Sequence, residues 1–521
     1  MRIFNAKLNN KNFNFLKEKD LIDNNNKYTI ILGENGTGKS ELLRQIINNL
    51  LRIKILNISP EHNELGKFSY RDLLDSYLSN KYKSNLVEKS ISTSLNLYLH
   101  DDADIYLSYE KSNSQRKIKN FKGEEISISD GQFRHKTRLE SHGFILLDTI
   151  LAINIIAISE SIHIKFPIIQ DDSSLSYYYP GHLKESDSDY FFSNINTNKN
   201  INQKEKSIIL SILLASLRSE NIDLKSIFDL LKFDFKIKID VNSQTDIDVK
   251  LKRLHDFRFN SIGIEKISNF NDINEAVNWY SNTKSNINED IFKKNIQENY
   301  TFFLDLLKDN ESINYLYHLI SYNLIDVSNI YFYKSSEDLI EIPIQDMSSG
   351  QLCLISSFSS IAAHIRNGSL IFIDEPEISL HPLWASQYIE LLQNKFSSFQ
   401  RCHFLIATHS PHIVSNLPDD NAYVITIKND GTSKCIESNV FNFKSVDFQL
   451  AEIFDFPGNR NEYLIRVIMV ILTKISENES LNVDDLKTID HLKQFIPKLK
   501  PNDPVKHLIN QISVLTSNEQ S

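Results

Sequence analysis

Three cysteines (Cys353, Cys402 and Cys435) are all that this 521-residue chain holds. An odd number at no metal-ligand spacing excludes a disulfide framework and a structural zinc site, and it leads us to expect a cytoplasmic location. Glycine, proline and tryptophan are scarce as well, at 13, 12 and 2 residues. Long apolar runs are missing: the most apolar stretch, FILLDTILAINIIAI (144–158), is broken by Asp148 and Asn154 and falls short of a membrane span. The N-terminus, MRIFNAKLNN, alternates apolar and polar residues and lacks the apolar core of a secretory signal. No heptad pattern is sustained, which excludes a long coiled-coil arm. An excess of positive charge is absent too. The net charge of −10 excludes a uniformly basic nucleic-acid binder but leaves room for a local basic strip. RHKTR (134–138) and KLKRLHDFR (250–258) are candidates for such a strip, although acidic neighbours make a solvated face the plainer reading of each.

Against this scarcity, three of the 13 glycines fall within six positions of ILGENGTGKS (31–40). The run YTIIL before it reads as a buried strand, and SELLRQIINNLLRI after it has helical spacing. Gly33, Glu34, Asn35, Gly36, Thr37, Gly38, Lys39 and Ser40 therefore form a phosphate-binding loop in the context that motif needs. Glycines turn backbone N–H groups inward onto phosphate oxygens, and the helix start adds its positive dipole end. Lys39 would reach the β- and γ-phosphates, and Ser40 would ligate Mg²⁺. KILNIS (54–59) reads as a second strand that would complete a βαβ unit.

Far downstream, SLIFIDEPE (369–377) is an apolar strand ending in two adjacent carboxylates. Asp374 would hold the Mg²⁺ shell and Glu375 would act as general base on the attacking water. MSSGQ (347–351) opens a helix, and its Ser348, Ser349, Gly350 and Gln351 offer a second anion nest. Taken alone that pentapeptide is a plain helix cap. The strand CHFLIAT (402–408) leads into His409, placed to sense a γ-phosphate. Between these ends, helices are expected around 144–160, 205–232 and 298–323, and a strand at 235–244. The last stretch reads as polar helix with no second core.

The series GENGTGKS, MSSGQ, LIFIDEPEISLHP and ATHSP resembles the head of ABC-type ATPases, in the OLD/RecF/Rad50-like branch. Leu380-His381-Pro382 and the THSP are typical of the OLD/RecF-like side and not of transporters. The resemblance implies an α/β fold: a P-loop ATPase head with a mostly parallel sheet and an antiparallel N-terminal β-subdomain. It would comprise 1–60 and 339–440, with a large, mainly helical insertion at 61–338 and a helical end at 441–521. It implies ATP and Mg²⁺ as cofactors, and Lys39, Glu375 and His409 as catalytic residues. It also implies a homodimer or higher oligomer in which MSSGQ of one chain closes over the ATP of another. Met347 and Ser349 depart from the usual Leu and Gly of that signature. Gln132 is one candidate for the family's Q-loop glutamine. No Asp-x-Asp of a Toprim nuclease follows His409, so no nuclease site is expected in this chain. The overall pattern is most similar to PtuA ATPases of Septu and retron-associated anti-phage systems. That implies a separate HNH-type nuclease partner, with a reverse transcriptase and retron DNA in the retron setting. The alternative is a RecF-like DNA-binding repair ATPase.

Overall fold

Strands covered on both faces need apolar side chains on both, and the runs KYTIILG, LIFID and HFLIAT meet that condition along almost their whole length. The computed structural model of the chain describes residues 2–8, 11–17, 23–33, 36–58, 93–101, 103–110, 115–119, 125–129, 153–160, 166, 176–179, 202–218, 224–242, 247, 250–251, 270–285, 292–294, 300–335, 340–414, 417–418, 420–427, 433–440, 445–452, 456–477 and 479–519. Glu34, Asn35, Gln132, the RHKTR cluster and 252–258 of the second basic cluster lie outside the described residues.

In chain order the elements begin with β1 (Arg2–Leu8), β2 (Lys11–Asn14), β3 (Lys27–Gly33), α1 (Lys39–Ile58), β4 (Thr93–Asp101) and β5 (Ala103–Glu110). The hairpin β6 (Gln115–Lys119) and β7 (Glu125–Ser129) follows, then β8 (Ile155–Ser159) and β9 (Tyr177–Tyr178). Next come α2 (Gln203–Ser216), α3 (Lys225–Leu230), β10 (Phe233–Val241), α4 (Phe270–Ser285), β11 (Phe292–Lys294), β12 (Tyr300–Asp305), α5 (Asn310–Ser321), β13 (Val327–Lys334) and β14 (Ile340–Pro343). The remainder holds α6 (Ser349–His364), β15 (Leu370–Asp374), α7 (Pro382–Lys395), β16 (His403–Thr408), α8 (Pro411–Val414), β17 (Ala422–Ile427) and β18 (Ser433–Glu437). Four helices close the chain: α9 (Val446–Glu452), α10 (Glu462–Ser476), α11 (Val483–Lys493) and α12 (Pro504–Glu519).

The central sheet runs β18-β17-β3-β16-β15-β8-β9 and is parallel except for its β17–β18 edge. Alternate residues of its strands feed two cores. Ile31, Leu370, Phe372, Leu405 and Ala407 face α1, whose Leu42, Leu43, Ile46, Ile47, Leu50 and Leu51 form one buried stripe. Ile30, Leu32, Ile371, Ile373, Phe404 and Ile406 belong to the larger core, which also takes Leu354, Phe358 and Ile361 of α6 and Ile208 and Ile212 of α2. Beside this α/β layer stand an antiparallel sheet, β2-β1-β4-β5, and a second one, β11-β12-β10-β13-β14. The α/β head with a mostly parallel sheet and a separate antiparallel sheet is the fold the motifs imply.

Four expectations are corrected. KILNI (54–58) is helical, because α1 runs on from Lys39 to Ile58. Among the described residues the next strand is β4, which pairs with β1 in the antiparallel sheet and not beside β3. Within 144–160, Ile155–Ser159 is a strand that enters the central sheet beside β15. A short apolar run buried on both faces has no periodicity that separates strand from helix. Within 298–323, Tyr300–Asp305 is a strand before the helix α5 begins at Asn310. The chain's last helices do build a core of their own, from Leu464, Ile468 and Ile471 of α10, Ile489 and Leu492 of α11, and Val505, Ile509 and Ile512 of α12.

Candidate functional site at the carboxyl ends of the parallel strands

Parallel pairing aligns the strand ends. Leu32 of β3 lies beside Thr408 of β16, whose Ala407 lies beside Asp374 of β15, which in turn lies beside Ser159 of β8. In open α/β sheets this edge is where ligands bind. β3 ends at this edge with Gly33, and α1 starts at Lys39. Gly36 and Gly38 have φ of +84° and +91°, a region that residues with a Cβ rarely adopt. Gly33 is required for another reason: a Cβ there would stand 2.5 Å from Thr37 Oγ1 and 2.9 Å from Ile427 O. Gly36–Gly38 thus lead directly into α1, whose first turn carries Lys39 and Ser40. Lys39 is buried, and its Nζ donates to Gly33 O at 2.7 Å. Ser40 Oγ donates to Asp374 Oδ1 at 2.8 Å. Asp374 is fully buried.

Glu375 follows in a left-handed backbone conformation (φ +51°), which costs a non-glycine residue on the order of 1–3 kcal/mol and is characteristic of functional turns. Its N–H donates to Ala407 O at 2.8 Å, so the turn is anchored to the neighbouring strand. His409 begins the loop after β16, and its Nδ1 lies 3.8 Å from Glu375 Oε1 and 3.3 Å from Glu377 Oε1. Glu377 Oε1 also accepts from Thr408 Oγ1 at 2.6 Å and from the His409 N–H at 2.9 Å. Sequence reasoning missed Glu377. The signal was available as a third carboxylate two residues beyond the acidic pair, in DEPE.

The MSSGQ segment is a separate cluster at the start of α6. Ser348 is the N-cap: its Oγ accepts from the Gln351 N–H at 3.3 Å, and the Ser348 N–H donates to Gln351 Oε1 at 3.0 Å. This capping box fixes the first turn. Ser348 and Ser349 are exposed, whereas Gly350 is buried. A Cβ on Gly350 would lie 2.9 Å from Ser379 O and 3.2 Å from the Trp384 ring. Further along α6, the Cys353 thiol reaches Pro376 O at 3.5 Å, directly beneath the acidic turn. Burial pushes that thiol's pKa well up, helped by the nearby Glu160 carboxylate, so it remains a neutral packing group.

The structure therefore brings Ser40 to Asp374, with Lys39 one residue before it on Gly33 O, and Glu375 near His409, while Ser348–Gln351 form their own capped helix start whose two serines are exposed. A serine hydroxyl in contact with an aspartate oxygen is a hard-oxygen pair that suits Mg²⁺, an ion that keeps several waters and phosphate oxygens and needs few protein ligands. Among the described residues no group of three or more His, Cys, Asp or Glu side chains could hold a metal. No helix among the described residues is long and apolar enough to cross a membrane.

The chain is 25% identical over 420 residues to a retron Vc95 probable ATPase of Vibrio cholerae serotype O1 biovar El Tor, spanning 76% of this chain and 68% of that one. Among solved structures it is similar to an SMC head bound to the C-terminal winged-helix domain of ScpA (13% identity, 84% of this chain and 97% of that one, TM-score 0.29). It is also similar to the SMC head domain from Thermotoga maritima (11% identity, 84% and 99%, TM-score 0.29). Residues 28–415, more than half of the chain, match the family described as "AAA domain, putative AbiEii toxin, Type IV TA system". The chain belongs to this family of AAA-domain ATPases.

Proposed function

We propose that the chain binds and hydrolyses ATP as the regulatory or sensor subunit of a bacterial anti-phage defence complex and controls a separate nuclease of HNH type. The observation that carries the ATPase part is the Ser40–Asp374 contact at the strand ends, with Glu375 as the next residue. The likeness to a retron Vc95 probable ATPase supports the defence setting; the PtuA-like role beside retron DNA and a reverse transcriptase in the cytoplasm rests on the resemblance of the motifs alone.

Lys39 exchanges the Gly33 carbonyl for β- and γ-phosphate oxygens, a charge-assisted and stronger bond. Backbone N–H groups of the loop at 33–38 hold the phosphates. Ser40 and Asp374 would hold Mg²⁺, which would supply charge neutralisation to the phosphates. Glu375, held in a left-handed turn directly after β15, takes a proton from the attacking water. His409 contacts the γ-phosphate in cis. The exposed Ser348 and Ser349, with Gly350 and Gln351, close over the γ-phosphate of a second chain, so that two heads sandwich two ATP molecules. Hydrolysis then releases the dimer and shifts the population of nuclease-bound states.

Size-exclusion chromatography of Glu375→Gln with Mg²⁺ and ATP tests the composite site. A dimer that forms with ATP and disperses with ADP is the expected result. A monomer under both conditions overturns it.

A further inference from the structure

Glu377 is an expensive residue to keep. Its side chain is only 7% exposed, and a buried carboxylate needs hydrogen-bond donors to offset its lost hydration. Its Oε1 receives Thr408 Oγ1 at 2.6 Å and the His409 N–H at 2.9 Å, and it stands 3.3 Å from His409 Nδ1. Its other oxygen, Oε2, is buried with no hydrogen-bond partner. All the donors therefore come from one short segment, the turn that carries His409 off β16. A helix cap or a turn lock would spread its bonds over its own loop. This carboxylate reaches across 32 residues of sequence to another strand's end.

We propose that Glu377 is a positioning residue for ATP hydrolysis: it clamps the 408–409 turn to the acidic turn and holds the His409 imidazole beside the γ-phosphate. This inference rests on the hydrolytic reading of the site and adds a residue to it. Distances decide which carboxylate does the holding. Glu375 Oε1 is 3.8 Å from His409 Nδ1, beyond hydrogen-bond range, whereas Glu377 Oε1 is 3.3 Å away and also fixes the backbone that the ring hangs from. Glu375 is thereby left to the water, and Glu377 sets where His409 stands. The division of labour matters because a misplacement of about 1 Å costs on the order of 100-fold in rate.

The test compares Glu377→Ala, Glu377→Gln, His409→Ala and the double variant Glu377→Ala/His409→Ala. Glu377→Gln keeps an amide oxygen for the Thr408 and His409 donors. We expect Glu377→Ala to lower kcat on the order of 100-fold with KM within about 3-fold of wild type, and Glu377→Gln to recover most of the loss. In the His409→Ala background, Glu377→Ala should cost less than about 3-fold, because residues acting through one another are non-additive. Amide exchange of the peptide covering 408–412, measured without nucleotide, should quicken at least about ten-fold in Glu377→Ala and stay as in wild type in Glu377→Gln. Wild-type kcat in Glu377→Ala, or a full additional loss in the double variant, overturns the proposal. So does unchanged amide exchange. If Glu375→Gln instead turns over ATP at the wild-type rate, the hydrolytic reading itself fails, which is a separate result.

Discussion

Ser40 and Asp374 are 334 positions apart, yet the Ser40 hydroxyl donates to the Asp374 carboxylate over 2.8 Å at the edge of the central sheet. One side chain comes from the first turn of α1 and the other from the end of β15, and only the parallel order β3-β16-β15 brings them together. If this pair holds Mg²⁺, Ser40→Ala and Asp374→Asn should each weaken Mg²⁺-dependent ATP binding at least about ten-fold. Titration calorimetry with and without Mg²⁺ checks this. Equal affinity in the presence and absence of Mg²⁺ for wild type would contradict it.

The start of α6 offers a clean separation of stability from association. Aspartate caps a helix as well as serine does, so Ser348→Asp should keep the thermal midpoint within about 2 °C of wild type. The same change sets a negative charge where the γ-phosphate of a second chain would dock. ATP-driven dimerisation and steady-state hydrolysis should both fall, by at least about ten-fold, and chromatography together with phosphate release reads them out.

Gly350 should not tolerate a side chain. A Cβ would press on Ser379 O at 2.9 Å and on the Trp384 ring, and neither backbone nor indole can yield cheaply. Gly350→Val should destabilise the chain by about 1–3 kcal/mol, seen as a lower midpoint in urea.

Stability should fall with pH below the usual histidine range. Burial, with Arg218 and Arg366 close by, depresses His364 to about 3, and its ring is stacked on Tyr178. His403 is likewise driven well below its ordinary value by burial, with Arg2 nearby, and is bonded to the Ile3 N–H through Nδ1 and to Thr29 through Nε2. Both folded-state values are lowered, so the unfolded chain takes up these protons first. The stability is therefore fully present above about pH 6.5 and is lost as pH falls from there; for His364 the loss runs down toward about 3. Each site contributes up to about 1.4 kcal/mol per pH unit inside its window. Urea midpoints at pH 7 and pH 5 measure this, and His364→Phe should flatten the slope by about one proton.

The C-terminal helices should melt as their own unit. Leu464 is fully buried in a core that shares none of its residues with the two cores of the head. Leu464→Ala should cost about 2–5 kcal/mol locally while ATP binding at the P-loop stays unchanged. Hydrogen exchange confined to 446–519 is the expected signature.

The parts of this fold that were legible in the sequence are those where one physical demand dominates. Strands β3, β15 and β16 are buried on both faces and end in residues of distinct chemistry, so both the strands and their ends could be read. KILNI failed because its apolar residues suit either a strand or a continuing helix, and only tertiary contacts choose. Ile155–Ser159 failed for the same reason, and with it the strand that flanks Asp374. The C-terminal core was missed because Ile489, Leu492, Val505, Ile509 and Ile512 are spread at helical spacing among polar residues, while Leu464, Ile468 and Ile471 sit in an apolar run, YLIRVIMVIL, whose buried face is chosen only by the neighbouring helices. Glu377 was passed over because a third carboxylate in DEPE reads as solvated until the sheet shows Thr408 and His409 folded against it.

ATP turnover by Glu375→Gln, beside its ATP affinity, tests the central claim most directly. The expected result is binding within about 3-fold of wild type and a kcat lower by at least about 100-fold, since the glutamine keeps the shape of the turn but cannot take the proton. Turnover at the wild-type rate would contradict the assignment of this site as the place where ATP is hydrolysed.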